Sequence, residues 1–118
     1  MIFDSHAHYN DEVFQEDRDA LLSQMKEGGI ARIVNVSADV KSLDETMDLV
    51  RKYDFMYGAL GIHPGETSSL TEAHMEQIKR DAAEEKIVAI GEIGLDYYWQ
   101  EPDHDTQKKW FDRQLDLC

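Results

Sequence analysis

Met1-Ile2-Phe3-Asp4-Ser5-His6-Ala7-His8 is an apolar run that ends in a His-x-His pair, and the fold is decided by how it is read. As a β-strand it alternates its side chains between two faces, so Asp4, His6 and His8 share one. Two imidazoles on one face at the end of a buried strand are two nitrogen ligands aimed at one spot. A polar strand end with two solvated histidines is the other reading of these residues. A second apolar run, Val88-Ala89-Ile90-Gly91-Glu92-Ile93-Gly94-Leu95-Asp96, favours the ligand reading. Its Glu92 adds a carboxylate from another strand, of the kind that can bridge two cations.

Outward from these two runs, short apolar strands alternate with helical patterns four times. After the first strand, Phe14, Leu21, Leu22 and Met25 recur at helical spacing from about Asp11, and Gly28-Gly29 ends the pattern. Arg32 to Ser37 reads as the second strand, followed by a helix with Leu43, Met47 and Val50 on one face. Phe55 to His63 reads as the third strand, closed by Pro64-Gly65. Leu70 to Glu85 predicts a helix with Met75, Ile78 and Ala82 inward, and Ile87 to Ile93 the fourth strand. A last helix is expected from Asp105-Thr106, burying Trp110, part of Phe111, Gln114 and Leu117.

This alternation implies an α/β fold with a parallel sheet and right-handed crossovers. The strands read as apolar on both sides, as a sheet covered by helices requires. His6, His8, His63, Glu92 and Asp96 all fall at strand C-termini, the end at which parallel α/β proteins build their sites. Parity groups Val88, Ile90 and Glu92 on one face, and Tyr57, Ala59, Gly61 and His63 on another.

The 118 residues carry 25 acidic against 12 basic side chains, a formal charge of −13. Such an excess disfavours loose binding to nucleic acid or anionic lipid, because no basic surface is available to displace counterions. A phosphate-bearing substrate would have to be held locally. The single cysteine, Cys118, can form no internal disulfide, no apolar run reaches membrane-spanning length, and the chain starts directly on a strand. The expected location is cytoplasmic.

Three islands, Asp4-Ser5-His6-Ala7-His8, Gly61-Ile62-His63-Pro64 and Ala89-Ile90-Gly91-Glu92-Ile93-Gly94-Leu95-Asp96-Tyr97-Tyr98, together resemble the TatD-type metal-dependent hydrolases. The spacing of Gln107, Phe111, Gln114 and Leu115 is similar to the helix that follows in that family. The resemblance implies a (β/α)8 TIM barrel, of which residues 1–118 would be the N-terminal half with about the first four βα units. Eight such units need about 250 residues. It also implies hydrolysis of phosphodiesters, often as a deoxyribonuclease, and the acidic charge argues for DNA ends as substrate rather than a long duplex. One or two divalent cations (zinc, magnesium or manganese) would be held by His6, His8 and Glu92, with Glu92 bridging. His63 matches a pocket residue near the scissile phosphate, giving it a catalytic and substrate-binding role. The family's further ligands, two histidines and an aspartate on later strands, have no match in these residues.

Asp4 is expected to support the histidines from behind, and Asp96 to do the same or to fix its loop. His74 and His104 read as solvated surface positions. Tyr97, Tyr98 and Trp99 suit either stacking on a base or sugar or covering a barrel rim, the rim being the expectation. Gly91 and Gly94 are expected to allow close backbone approach around Glu92. Two other functions fit the same residues. One is an amidohydrolase-like reaction on an amide or lactone. The other is a non-catalytic half-barrel that self-associates through open strand edges. In such a dimer Glu92 would lie beside the partner's His6 and His8.

Overall fold

The computed structural model describes all residues, Met1 to Cys118. Strands β1 (Ile2–Ala7), β2 (Ile30–Val36), β3 (Met56–Leu60) and β4 (Ile87–Ile90) form one parallel sheet in chain order. Between and after them come α1 (Arg18–Ser23), α2 (Val40–Lys52), α3 (Glu72–Asp81) and α4 (His104–Leu115). Short 3₁₀ turns at Glu12–Phe14 and Pro64–Ser69 precede α1 and α3.

The helix side of the sheet holds the main core. Leu43, Met47 and Val50 of α2 and Met75 and Ile78 of α3 pack with Ile33, Met56 and Leu60, all 2% exposed or less. Each such aliphatic side chain is worth roughly 1.5–3 kcal/mol of burial. Trp110 of α4 closes the same cluster. The other face of the sheet carries only a small group, Val34, Val36 and Ala59 with Tyr57 beside them. Ile2, Phe3 and Val88 are more than half exposed, so the strands are not covered on both sides as their composition suggests.

Two helical boundaries differ from the periodicity. The first helix occupies only Arg18–Ser23, because the guanidinium of Arg18 is spent on the carbonyls of Tyr9, Asn10 and Asp11, holding the preceding segment in turns. The third begins at Glu72, where Thr71 and His74 form a capping box. Parity also fails on β4. The ladder slips between Gly58 and Ala59, so Ile87 and Ile90 both pack on the helix-side core while Val88 stands exposed. A bulge of this kind changes the face presented by every later residue. A second slip lies on β1 between Asp4 and Ala7.

Candidate metal centre

The segment leaving β1 is fixed from below by a buried polar residue. Asn35, fully buried on β2, accepts the Tyr9 N–H at 2.7 Å and donates to Asn10 and to Thr46, both at 2.9 Å. The Tyr9 hydroxyl lies high in pKa, chiefly through burial and secondarily through the charge of Asp4. His8 Nδ1 lies 2.8 Å from the carbonyl of Val36. A carbonyl only accepts, so Nδ1 carries the proton and Nε2 presents its lone pair. That nitrogen lies 3.1 Å from His6 Nε2, with the two rings edge-on.

Glu92 reaches the same point from the opposite edge of the sheet. Its N–H donates to the Ser37 carbonyl at 3.1 Å, and Gly91 N–H donates to Leu60. Ser37 is fully buried just past β2, and its hydroxyl pairs with both the N–H and the carbonyl of Gly61 at 2.8 Å. A Cβ on Gly61 would stand 2.7–2.9 Å from the backbone of Gly91. The close approach expected around Glu92 therefore depends on Gly61. At Gly91 a Cβ would meet nothing within 4 Å, and Gly94 contributes a φ of 143° instead.

The outcome is a three-donor cluster within one chain. Glu92 Oε2 lies 3.5 Å from His6 Nε2 and 3.8 Å from His8 Nε2. Two ligands about 2.0–2.1 Å from a tetrahedral ion stand about 3.3 Å apart, so separations of 3.1–3.8 Å suit a common cation. Two neutral nitrogens and a carboxylate form a donor set common to zinc and its neighbours. Assembly between two copies, with Glu92 beside a partner's histidines, is not what the geometry shows. The turn after β4 carries Glu92 back to the end of β2, within reach of β1 of its own chain.

His63, at the start of the 3₁₀ turn after β3, stands on the other side of Glu92, with its Nε2 3.9 Å from Oε1. Its Nδ1 accepts the Gly65 N–H at 3.0 Å, which leaves the ring proton on Nε2. His63 thus offers an N–H where His8 offers a lone pair. Gln114 of α4 holds this turn: its buried amide accepts the N–H of Ile62 at 2.7 Å and donates to the Ile62 carbonyl at 3.2 Å.

Beside the cluster opens a cleft of about 470 Å³, reached past His8 and Glu92. Its one lysine, Lys41, is held between Glu12 at 3.2 Å and Glu45 at 3.3 Å. Both carboxylates raise the Lys41 pKa. Asp4 does not touch the imidazoles; its Oδ1 accepts the His6 main-chain N–H at 3.2 Å. Asp96 fixes its loop, accepting the Tyr98 N–H at 3.0 Å. His74 caps α3 through the Thr71 N–H, and His104 stacks on Tyr97 with ring centroids 3.8 Å apart. Sequence reasoning missed Asn35 and Ser37. The available signal was a polar residue interrupting or ending the apolar run Ile33-Val34-Asn35-Val36-Ser37.

No helix is long and apolar enough to cross a membrane. The family model described as TatD related DNase matches residues 3–118. Over the whole chain, 40% of residues are identical to an uncharacterised metal-dependent hydrolase, YabD, of Bacillus subtilis, of which 46% is covered. A protein of Pectobacterium carotovorum named 3'-5' ssDNA/RNA exonuclease TatD is 29% identical over 99% of the chain and 45% of its own length. The crystal structure of YjjV, a TatD homologue of Escherichia coli, superposes with a TM-score of 0.86 at 30% identity, over 98% of this chain and 46% of that one. The chain spans about half the length of the curated relatives it matches. Its four parallel βα units are a partial barrel of that fold.

Proposed function

This chain belongs to the TatD-related DNase family, and from that premise we propose that residues 1–118 are the N-terminal half of a metal-dependent phosphodiesterase barrel acting on nucleic-acid ends, DNA foremost. The observation that carries this is the convergence of His6, His8 and Glu92 within one donor shell. One or two divalent cations, zinc, magnesium or manganese, would bind there. They would neutralise phosphate charge and make water a competent nucleophile at neutral pH.

The remaining chemistry belongs to the chain's own groups. His8, oriented by Val36, keeps a lone pair available, and His6 meets it from the same strand. Glu92 turns Oε2 toward the histidines and Oε1 toward His63, so its two oxygens serve different neighbours. His63 donates its Nε2–H as a hydrogen bond to a phosphate oxygen, where negative charge builds as the bond breaks. With a charge of −13 the surface offers no electrostatic track along a duplex, which favours a short strand end. The single cysteine suits a reducing cytoplasm.

The test is hydrolysis of a single-stranded oligonucleotide by the complete barrel protein with added zinc, magnesium or manganese. His6→Ala and Glu92→Ala should each lower the rate at least about 10²-fold. Cleavage by both variants at the original rate would end this reading.

Self-association is a second reading, favoured by the open outer edges of β1 and β4 and by the exposed apolar residues Phe3 and Val88 on those strands. Light scattering that gives a strictly monomeric mass excludes it.

A further inference from the structure

Resting on the phosphodiesterase reading, we propose that the loop Tyr97–Trp99 is a stacking platform for an unpaired base of the strand whose phosphodiester lies at the His6–His8–Glu92 cluster.

The rings stand largely clear of the four βα units of residues 1–118. Tyr97, Tyr98 and Trp99 are 45%, 82% and 63% exposed. Tyr98 and Trp99 meet edge to face with centroids 4.8 Å apart, which leaves ring faces free. The loop is nonetheless tightly held. Gln107, 1% exposed on α4, accepts the Asp96 N–H at 2.8 Å and donates to the carbonyls of Asp96 at 2.9 Å and Pro102 at 2.8 Å. One buried amide thus clamps both ends of the aromatic segment, Tyr97 is braced by His104, and the Tyr98 N–H is tied to Asp96. Three exposed aromatics on a fixed loop form a larger apolar surface than scattered side chains leave.

Continuity with the site and charge name the occupant. The loop begins five residues after Glu92, beyond the turn at Gly94. Glu101, Asp103 and Asp105 border it, so a phosphate backbone is unwelcome there while the uncharged face of a base is not. Base–aromatic stacking tolerates any sequence and holds single strands without a basic groove. DNA and RNA share that chemistry, whereas a duplex hides its base faces.

The experiment is a fluorescence titration of EDTA-treated protein, so that binding is read without turnover. Within residues 1–118 Trp110 is 5% exposed and Trp99 63%, so the quenching that Trp99→Phe abolishes is the part that reports the loop. Four-nucleotide oligo-dT and oligo-U should both quench, and a covalently closed circular duplex, which has no exposed end pair, should not. Affinity should fall about tenfold in Trp99→Ala, read by anisotropy of a labelled oligonucleotide, and be restored by Trp99→Phe. Weak salt dependence should accompany it. Absent quenching, equal quenching by the duplex, or equal affinity of Trp99→Ala and Trp99→Phe overturns the proposal. Absent quenching includes the case in which further polypeptide covers the rings. Stacked binding without hydrolysis would sink the phosphodiesterase reading alone. Hydrolysis with an indifferent Trp99→Ala would sink only the platform.

Discussion

The main-chain N–H of Glu92 donates to the carbonyl of Ser37 at 3.1 Å, joining the turn after the last strand of the sheet to the end of the second. Glu92 and the histidines of β1 start on opposite edges of a four-stranded sheet. This bond, with the Ser37 hydroxyl gripping Gly61, draws them to within 3.5–3.8 Å. The site is therefore held by backbone geometry as much as by its donors.

Gly61→Ala tests that geometry. The new Cβ would press on Gly91 backbone at 2.7–2.9 Å, and backbone has little room to yield. The variant should lose about 1–3 kcal/mol of stability in urea denaturation. It should also bind zinc at least about tenfold more weakly, because Glu92 is displaced with Gly91. Unchanged zinc affinity by calorimetry would show that Glu92 does not depend on this contact.

His63→Asn separates ligation from catalysis. His63 presents an N–H, not a lone pair, toward Glu92, so metal content by elemental analysis should stay at the wild-type value. The turnover rate on an oligonucleotide should drop about 10²-fold, because the donor to the developing phosphate charge is displaced. Loss of metal from this variant would make His63 a ligand and reverse the tautomer assignment.

Gln114→Leu removes the amide that satisfies both main-chain groups of Ile62 while keeping an apolar side chain of similar size. The buried N–H and carbonyl then lack partners, at a cost of about 1–3 kcal/mol. A lowered urea midpoint with an unchanged m-value is the expected signature.

Asp103 supplies a pH test. As N-cap of α4 it accepts the Thr106 N–H and hydroxyl, each at 2.9 Å, and these bonds, the backbone one first, hold its pKa below the ordinary carboxylate range. With the folded value below the unfolded one, the native state binds fewer protons. The cap is then fully present above the unfolded pKa of about 3.9 and is lost as pH falls through the folded value. Wild type should be more stable than Asp103→Ala at pH 7, and the two midpoints should converge as the pH drops below about 4. A difference that persists at low pH would mean the side chain acts by something other than its charge.

Much of the fold was legible in local pattern. Leu43, Met47 and Val50 announced the buried face of α2, and Trp110 and Gln114 that of α4, because helical periodicity is written within a few residues of itself. Parity on β1 correctly put His6 and His8 on one face, but parity on β4 was not legible. A ladder slip is settled by the neighbouring strand, and Val88 turned outward although its own strand suggested otherwise. Asp4 illustrates the same limit: its place in the alternation pointed to the imidazoles, and it bonds to main chain instead.

By itself the sequence determined which donors exist and that they sit at strand ends: a histidine pair, His63 and Glu92, each closing an apolar run. Tertiary structure decided that Glu92 meets the histidines of its own chain rather than those of a second copy. It also decided that the protons of His8 and His63 sit on opposite ring nitrogens. The reason is physical. Strand and helix tendencies arise from neighbours in sequence, whereas the Ser37–Glu92 bond, the Gly61–Gly91 approach and the Val36 carbonyl on His8 join residues roughly 30 to 55 positions apart.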